Sequence, residues 1–209
     1  GEPVPIWGGM RLSGHVADYS IGLLTMQTKQ FQNRPGSNFS AVRLKRNILA
    51  NSDLGMIFTN RQASEGKDYN RAWGADANFK FWQNLTFNGY IAQTKTDGLR
   101  EQDWTRKIAG DWRDNRFHFQ LILTDVDKNF QPELGFTQRT GVHMSRARAE
   151  AFLRPRRNRI LREYNPHFIH TYHLDQDNRT LTKDLHFAFL DLTFHSGAHV
   201  EVFFNPLFD

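Results

Sequence analysis

Nine histidines, one run of spaced acids and several charged residues on shared strand parity are where this chain could do chemistry. His167, His170 and His173 are spaced by three. On a β-strand that spacing alternates faces, so His167 and His173 share a side and His170 takes the other. Three metal ligands do not converge from that geometry. His195 and His199 flank Ser196-Gly197 and could meet across a hairpin. Asp125, Asp127 and Asn129 hold the first, third and fifth positions of an EF-hand-like loop. Phe130 stands where the loop needs Gly, and no Glu follows at the twelfth position. No metal and no cofactor are expected on this reading. Cysteine is absent and no G-x-S-x-G string occurs, so neither a thiol nor a nucleophile elbow is available. His118 lies on an alternating segment without an identifiable serine partner. The sequence therefore carries no legible catalytic constellation.

The charged and polar residues Arg43, Lys45, Asp76, Asn78 and Lys80, with Thr86, Asn88 and Tyr90, fall on the polar parity of successive strands. Two meanings are open. Opposite charges pair and fill the inside of a small barrel, or they line a polar channel or glycan-contacting wall. Nucleic acid is not an expected partner, because the aromatics lie on the opposite parity and a single-strand binder needs both on one platform.

The elements that must position these residues are strands. Trp73, Ala75, Ala77 and Phe79 alternate with Gly74, Asp76, Asn78 and Lys80. Phe87 and Ile91 on the next segment, and Phe117, Phe119 and Leu121 on a later one, continue the apolar set. Side chains of a strand alternate between faces, so each segment has one apolar and one polar side. About twelve strands are predicted by this period and by turn residues. They are Trp7–Val16, Ser20–Thr28, Phe39–Ile48, Asp53–Asn60, Asn70–Trp82, Leu85–Thr94, Trp104–Trp112, Arg116–Val126, Val142–Leu153, Arg162–Leu174, Thr180–His195 and Ala198–Phe204. Pro166 demotes the first half of the tenth. Asp127–Gly141 breaks the rhythm. Pro132 and Gly135 shape it, and Phe130, Leu134 and Phe136 give it apolar side chains. It is expected to fold inward or cap one end, where Glu133 and Arg139 could meet Lys45 or Asp76 as a plug or constriction.

Composition separates the solvents that the apolar face could meet. The chain has 209 residues, 39% of them hydrophobic, and includes 18 Phe, 5 Trp and 5 Tyr. No run of about 18 apolar residues exists, which excludes a helical membrane span but not a barrel. Net charge is +5, with a basic cluster at Arg154–Arg162 that reads as a solvated loop or a contact for lipid head groups or acidic glycans. Short turns alternate with longer loops, and many strands run to nine or more residues. Soluble strands peak at about five or six residues, whereas a tilted membrane-spanning strand needs about nine to eleven. These features favour a transmembrane barrel over a soluble sandwich.

Several strings support a resemblance. They are Pro5-Ile6-Trp7-Gly8-Gly9-Met10-Arg11-Leu12-Ser13-Gly14, Ile21-Gly22-Leu23-Leu24 with Gln27-Thr28, and Arg43-Leu44-Lys45-Arg46-Asn47-Ile48. Then come Gly55-Met56-Ile57-Phe58-Thr59-Asn60-Arg61, Gly74-Ala75-Asp76-Ala77-Asn78-Phe79 and Phe130-Gln131-Pro132-Glu133-Leu134-Gly135-Phe136. In that order they resemble the bacterial domain of unknown function 5916 family. The resemblance implies an outer-membrane-type β-barrel of unassigned activity, often following a family 9 type carbohydrate-binding module, and no catalytic motif. The expectation is thus an all-β antiparallel meander, residues 1–209 as a single barrel domain excised from a longer protein. It would sit in the bacterial outer membrane with lipid, and glycans or such a module, as partners, and serve passive transport, anchoring or glycan handling. The alternative is a soluble β-structured carbohydrate-binding or structural domain. On the barrel reading, Trp73, Ala75, Ala77, Phe79, Phe87, Ile91, Phe117, Phe119 and Leu121 should form one convex face, and the charged set the concave one.

Overall fold

The computed structural model describes residues 4–32, 35–101 and 103–208; Arg34, between the second and third predicted strands, lies outside them. The described residues form fourteen β-strands and no helix. They are β1 Ile6–Val16, β2 Tyr19–Thr28, β3 Ser37–Ile48, β4 Ser52–Ala63, β5 Tyr69–Phe81, β6 Leu85–Thr96 and β7 Trp104–Arg113. β8 Phe117–Val126, β9 Val142–Ala151, β10 Leu161–Tyr164, β11 His167–Asp175, β12 Thr180–Phe194, β13 His199–Phe204 and β14 Leu207–Phe208 follow. All belong to one sheet, in which β1 to β9 pair in sequence order and β11 and β12 follow. Every registered pair is antiparallel.

Two of the fourteen segments continue another, which leaves the twelve rungs that the sequence predicts. β10 and β11 both run along the same stretch of neighbours: Tyr164 opposes Leu192 and Leu153, and His167 opposes Ala188 and Glu150. The break falls at Asn165-Pro166. Proline has no N–H to give the ladder. The Asn165 side-chain amide donates to Ala151 O at 3.0 Å in its place. Asn205-Pro206 splits β13 from β14 in the same way, with Phe204 opposite Phe187 and Leu207 opposite Asp184.

The sheet is not closed into a barrel among the described residues; β1 pairs with β2 alone. The chain forms two compact units: Gly1–Phe79, Gly89–Arg106 and Val126–Gly141 in the first, Lys80–Asn88, Lys107–Asp125 and Val142–Asp209 in the second.

In the first unit the register from β2 to β5 is unbroken. Directly opposed residues of antiparallel strands share a face. One row therefore reads Leu12, Leu23, Val42, Phe58 and Trp73 across five strands, and the next contains Ile21, Leu44, Met56 and Ala75. Leu12, Val42, Phe58 and Trp73 are all exposed, and Met56 is 65% exposed. In the second unit Phe117, Phe119, Leu121 and Leu123 of β8 are exposed, while His118 between them is buried.

What is buried is mostly polar. Thr28, Ser37, Ser52, Thr59, Asn70, Thr94, Thr105 and His118 are buried among the described residues. The buried apolar set is small: Ala63, Ala109, Val126, Phe130, Val142 and Ala188. The largest fully buried side chains are Asn70 and Thr94. A soluble sheet packs its apolar face and wets the other; here that arrangement is inverted. The separation is not complete, because Leu24 and Ile57 sit on the polar parity and are about 40% exposed.

Candidate functional site

The polar face of the first unit is built by register. Lys45, Gly55 and Asp76 stand in one row, and Asn47, Asp53 and Asn78 in the next. Gly55 has no side chain, so the Arg43 guanidinium crosses above it to Asp76. The pair is bidentate, Nη1 to Oδ2 at 2.5 Å and Nη2 to Oδ1 at 2.8 Å. A Cβ on Gly55 would fall within 2.8 Å of Arg43 Cζ and of Asp76 Oδ2. Lys45 Nζ lies 2.9 Å from Asp53 Oδ2, and Asn78 Nδ2 donates to Asp53 Oδ1 at 2.9 Å. Four of the sequence candidates, Arg43, Lys45, Asp76 and Asn78, are thus joined through Asp53 and Gly55 into a patch whose charges cancel. Lys80 is exposed near the end of β5, Thr86 and Asn88 are half-buried on β6, and Tyr90 is 38% exposed.

The second feature of this unit is the segment after β8. Residues 127–141 form no strand, and the stretch from Asp127 to Glu133 lies over the polar parity of β5 and β6. Asn70 holds it. Its Nδ2 donates to Gln131 O at 2.7 Å and to Thr96 Oγ1 at 2.8 Å, and its Oδ1 accepts the Glu133 N–H at 3.1 Å. Thr94 Oγ1 accepts the Gln131 N–H at 3.1 Å. Phe130 is buried, but Leu134 is only half-buried and Phe136 is 90% exposed, so one of the three apolar residues seats the segment.

Glu133 does not reach Lys45 or Asp76. It pairs with Arg61, whose Nη2 donates to Glu133 Oε1 at 3.2 Å and whose guanidinium also grips Asp68 at 2.5 and 2.8 Å. The reason is distance along the strand. Arg61 stands opposite Asn70, six residues up β4 from Gly55, or roughly 20 Å at about 3.4 Å per residue. Arg139 is exposed and enters no described ion pair. The hydrogen bonds from Arg61 hold the Asp68 carboxyl below the usual carboxylate range, against a smaller opposing effect of burial.

In the second unit the buried His118 is clamped by two acids. Its Nδ1 lies 2.9 Å from Glu150 Oε2 and its Nε2 lies 3.0 Å from Asp111 Oδ2. Gln120 Nε2 donates to the same Asp111 oxygen at 2.7 Å. Both ring nitrogens are occupied, so neither is free to take a proton from a hydroxyl nucleophile. At the β7–β8 turn the backbone N–H groups of Arg116 and then Phe117 lower the Asp114 carboxyl below its usual range.

The acids of the EF-hand-like pattern point apart. Asp125 pairs with His143, Asp127 accepts the Trp104 N–H, and Asn129 donates to Glu101 O. His170 stacks on Phe168 and meets Tyr172 edge-on, and His173 Nδ1 meets Thr182 Oγ1 at 3.0 Å. His167 instead faces His186 of β12, and His199 pairs with Asp191 at 2.7 Å. Sequence reasoning missed Arg61, Asn70, Thr94 and the His118 clamp. Parity alone put Asn70 on the side of Asp76; nothing local joined it to Gln131. No family model matches the chain, and neither a curated protein nor a solved structure is significantly similar to it.

Proposed function

We propose that this chain is a large part of a bacterial outer-membrane β-barrel, with its apolar parity toward lipid and its polar parity toward an interior passage. The observation that carries this reading is the inversion of burial, with Asn70 and Thr94 fully buried while the row Leu12, Val42, Phe58 and Trp73 is exposed. Water penalises such a surface, whereas hydrocarbon does not. Strand length agrees, since β1 to β9 each have ten to thirteen residues and a tilted membrane strand needs about nine to eleven. Exposed Trp7 and Trp82 at strand ends fit an interfacial girdle. The reading requires the free edge of β1 to be paired by a further strand, because an open ladder is not tolerated in hydrocarbon. Its role would be passive: transport, anchoring or glycan handling at the envelope. A carbohydrate-binding module on the same polypeptide is what the resemblance to the domain of unknown function 5916 family implies, and that family's activity is unassigned.

The test is insertion. The refolded chain should need detergent to stay monodisperse and should resist extraction from liposomes by carbonate. Phe119 is 50% exposed on β8. Phe119→Arg should lower stability in bilayers by about 2–4 kcal/mol if the site is mid-bilayer. A chain that stays monomeric without detergent, and in which this substitution is neutral, would point to a soluble β-domain.

A further inference from the structure

His167, His186 and Glu201 lie on three adjacent strands of the second unit and share one face, and an irregularity sets what stands beside them. His167 opposes Ala188, and Ala188 opposes Phe203. Ala188 and Asp191 are three residues apart and would face opposite sides of a regular strand. The register shifts between Ala188 and Leu190, so Asp191 opposes Glu201, two residues from Phe203 on β13. The bulge therefore brings Asp191 to the side already held by His167, His186 and Glu201. Ala188, wholly buried, leaves room between them.

The three ligand atoms form a small triangle. His167 Nε2 lies 3.1 Å from His186 Nε2, and Glu201 Oε1 lies 3.4 Å from His186 Nε2 and 3.7 Å from His167 Nε2. Metal–ligand bonds of about 2.0–2.1 Å in a tetrahedron set its edges at about 3.3–3.4 Å. The donors are already spaced for one ion. His167 is also oriented for it. Its Nδ1 donates to Asn165 O at 3.0 Å, which fixes the tautomer and leaves Nε2 as a lone pair. Asp191 stands behind His167 Nδ1 at 3.6 Å and accepts from His199 Nε2 at 2.7 Å. An outer carboxylate beside a ligating imidazole is the usual support of a metal site. The Phe203 ring packs 5.1 Å from His186 and forms one wall.

We propose that His167, His186 and Glu201 bind one divalent transition-metal ion, zinc by its donor set. Two imidazoles and one carboxylate exclude calcium and magnesium, which take oxygen ligands. Three protein donors in a tetrahedron leave a fourth position for water. On binding, the ion takes the place of the proton shared between the two Nε2 atoms, and His186 carries its hydrogen on Nδ1. The inference does not rest on the membrane reading; the same three strands would hold the ion in a soluble sheet.

Cobalt(II), followed by its visible ligand-field absorption, is the probe, with zinc as competitor on the full folded chain. One equivalent should produce a tetrahedral spectrum that zinc abolishes. Asp191→Asn should weaken binding by about 10–100-fold, the range for a lost outer support, and Glu201→Gln, which keeps size and shape but removes a ligand, should weaken it at least as much. His186→Gln should remove the spectrum, whereas His170→Gln, on a residue that stacks elsewhere, should leave it unchanged. The wild-type titration needs no variant: absence of saturable binding overturns the site. Binding of unchanged strength in both Glu201→Gln and His186→Gln would also overturn it, by placing the ion elsewhere.

Discussion

At the scale of the residue, Gly55 is the quiet member of the charged patch. Its missing side chain is what lets Arg43 reach Asp76. Gly55→Ala should push the guanidinium off the carboxylate rather than break the strand, because the atom met is the far end of a flexible chain. The pair is roughly one-third exposed at Arg43, so its loss should lower stability by about 1 kcal/mol or less. In an Arg43→Ala background the same change should be near neutral. A double-mutant cycle in urea separates the two outcomes, and equal costs in both backgrounds would show that Gly55 serves the backbone instead. The charges of this patch were legible as a parity in the sequence, but their partners were not. Arg43 and Asp76 are 33 positions apart, and only the register of β3, β4 and β5 brings them together.

Asp68 gives a pH signature at the same scale. Its folded carboxyl is lowered from the usual 3.8 by the Arg61 hydrogen bonds. A depressed folded value means that the contribution is fully present above the unfolded value. It is lost as pH falls from there through the lower folded value. Asp68→Asn should therefore flatten the acid limb of a stability curve below pH 3.8 and leave the neutral region's slope unchanged. An acid limb identical to wild type would show the exposed pair to be inert.

At the scale of the element, the strands were the most legible part, because their alternation is local. Their interruptions were half legible. Pro166 announced a break, but the device that repairs it did not show. Asn165 donates its side-chain amide to the Ala151 carbonyl, which opposes the proline that has no N–H. Asn165→Ala should leave that acceptor bare and lower stability by about 0.5–1.5 kcal/mol. Replacing Pro166 by Ala in the same chain should restore a backbone donor and recover most of the loss. Additive losses in the double variant, read from denaturation midpoints, would assign Asn165 another role.

At the scale of the whole molecule, the barrel proposed above makes the segment after β8 the part that separates a filled interior from a passage with a gate. Its departure from the strand pattern was legible in Pro132, Gly135 and Phe130, but its clasp was not, since Asn70 and Gln131 lie 61 positions apart. Asn70 is fully buried and satisfies one carbonyl and one N–H of the segment. Asn70→Ala should leave both without partners and lower stability by about 2–3 kcal/mol. The loss should be local, because Glu133 stays tied to Arg61 at the same row of the sheet. Proteolytic nicking between residues 128 and 136 should quicken while strand content is kept. If the segment constricts a passage, efflux of small solutes from loaded liposomes should change in step with nicking. It should change further when Glu133→Ala also frees Arg61. Faster nicking with constant efflux would make the segment a clasp that only seals the end of the polar face, and would favour the reading in which paired charges such as Arg43 with Asp76 fill the interior.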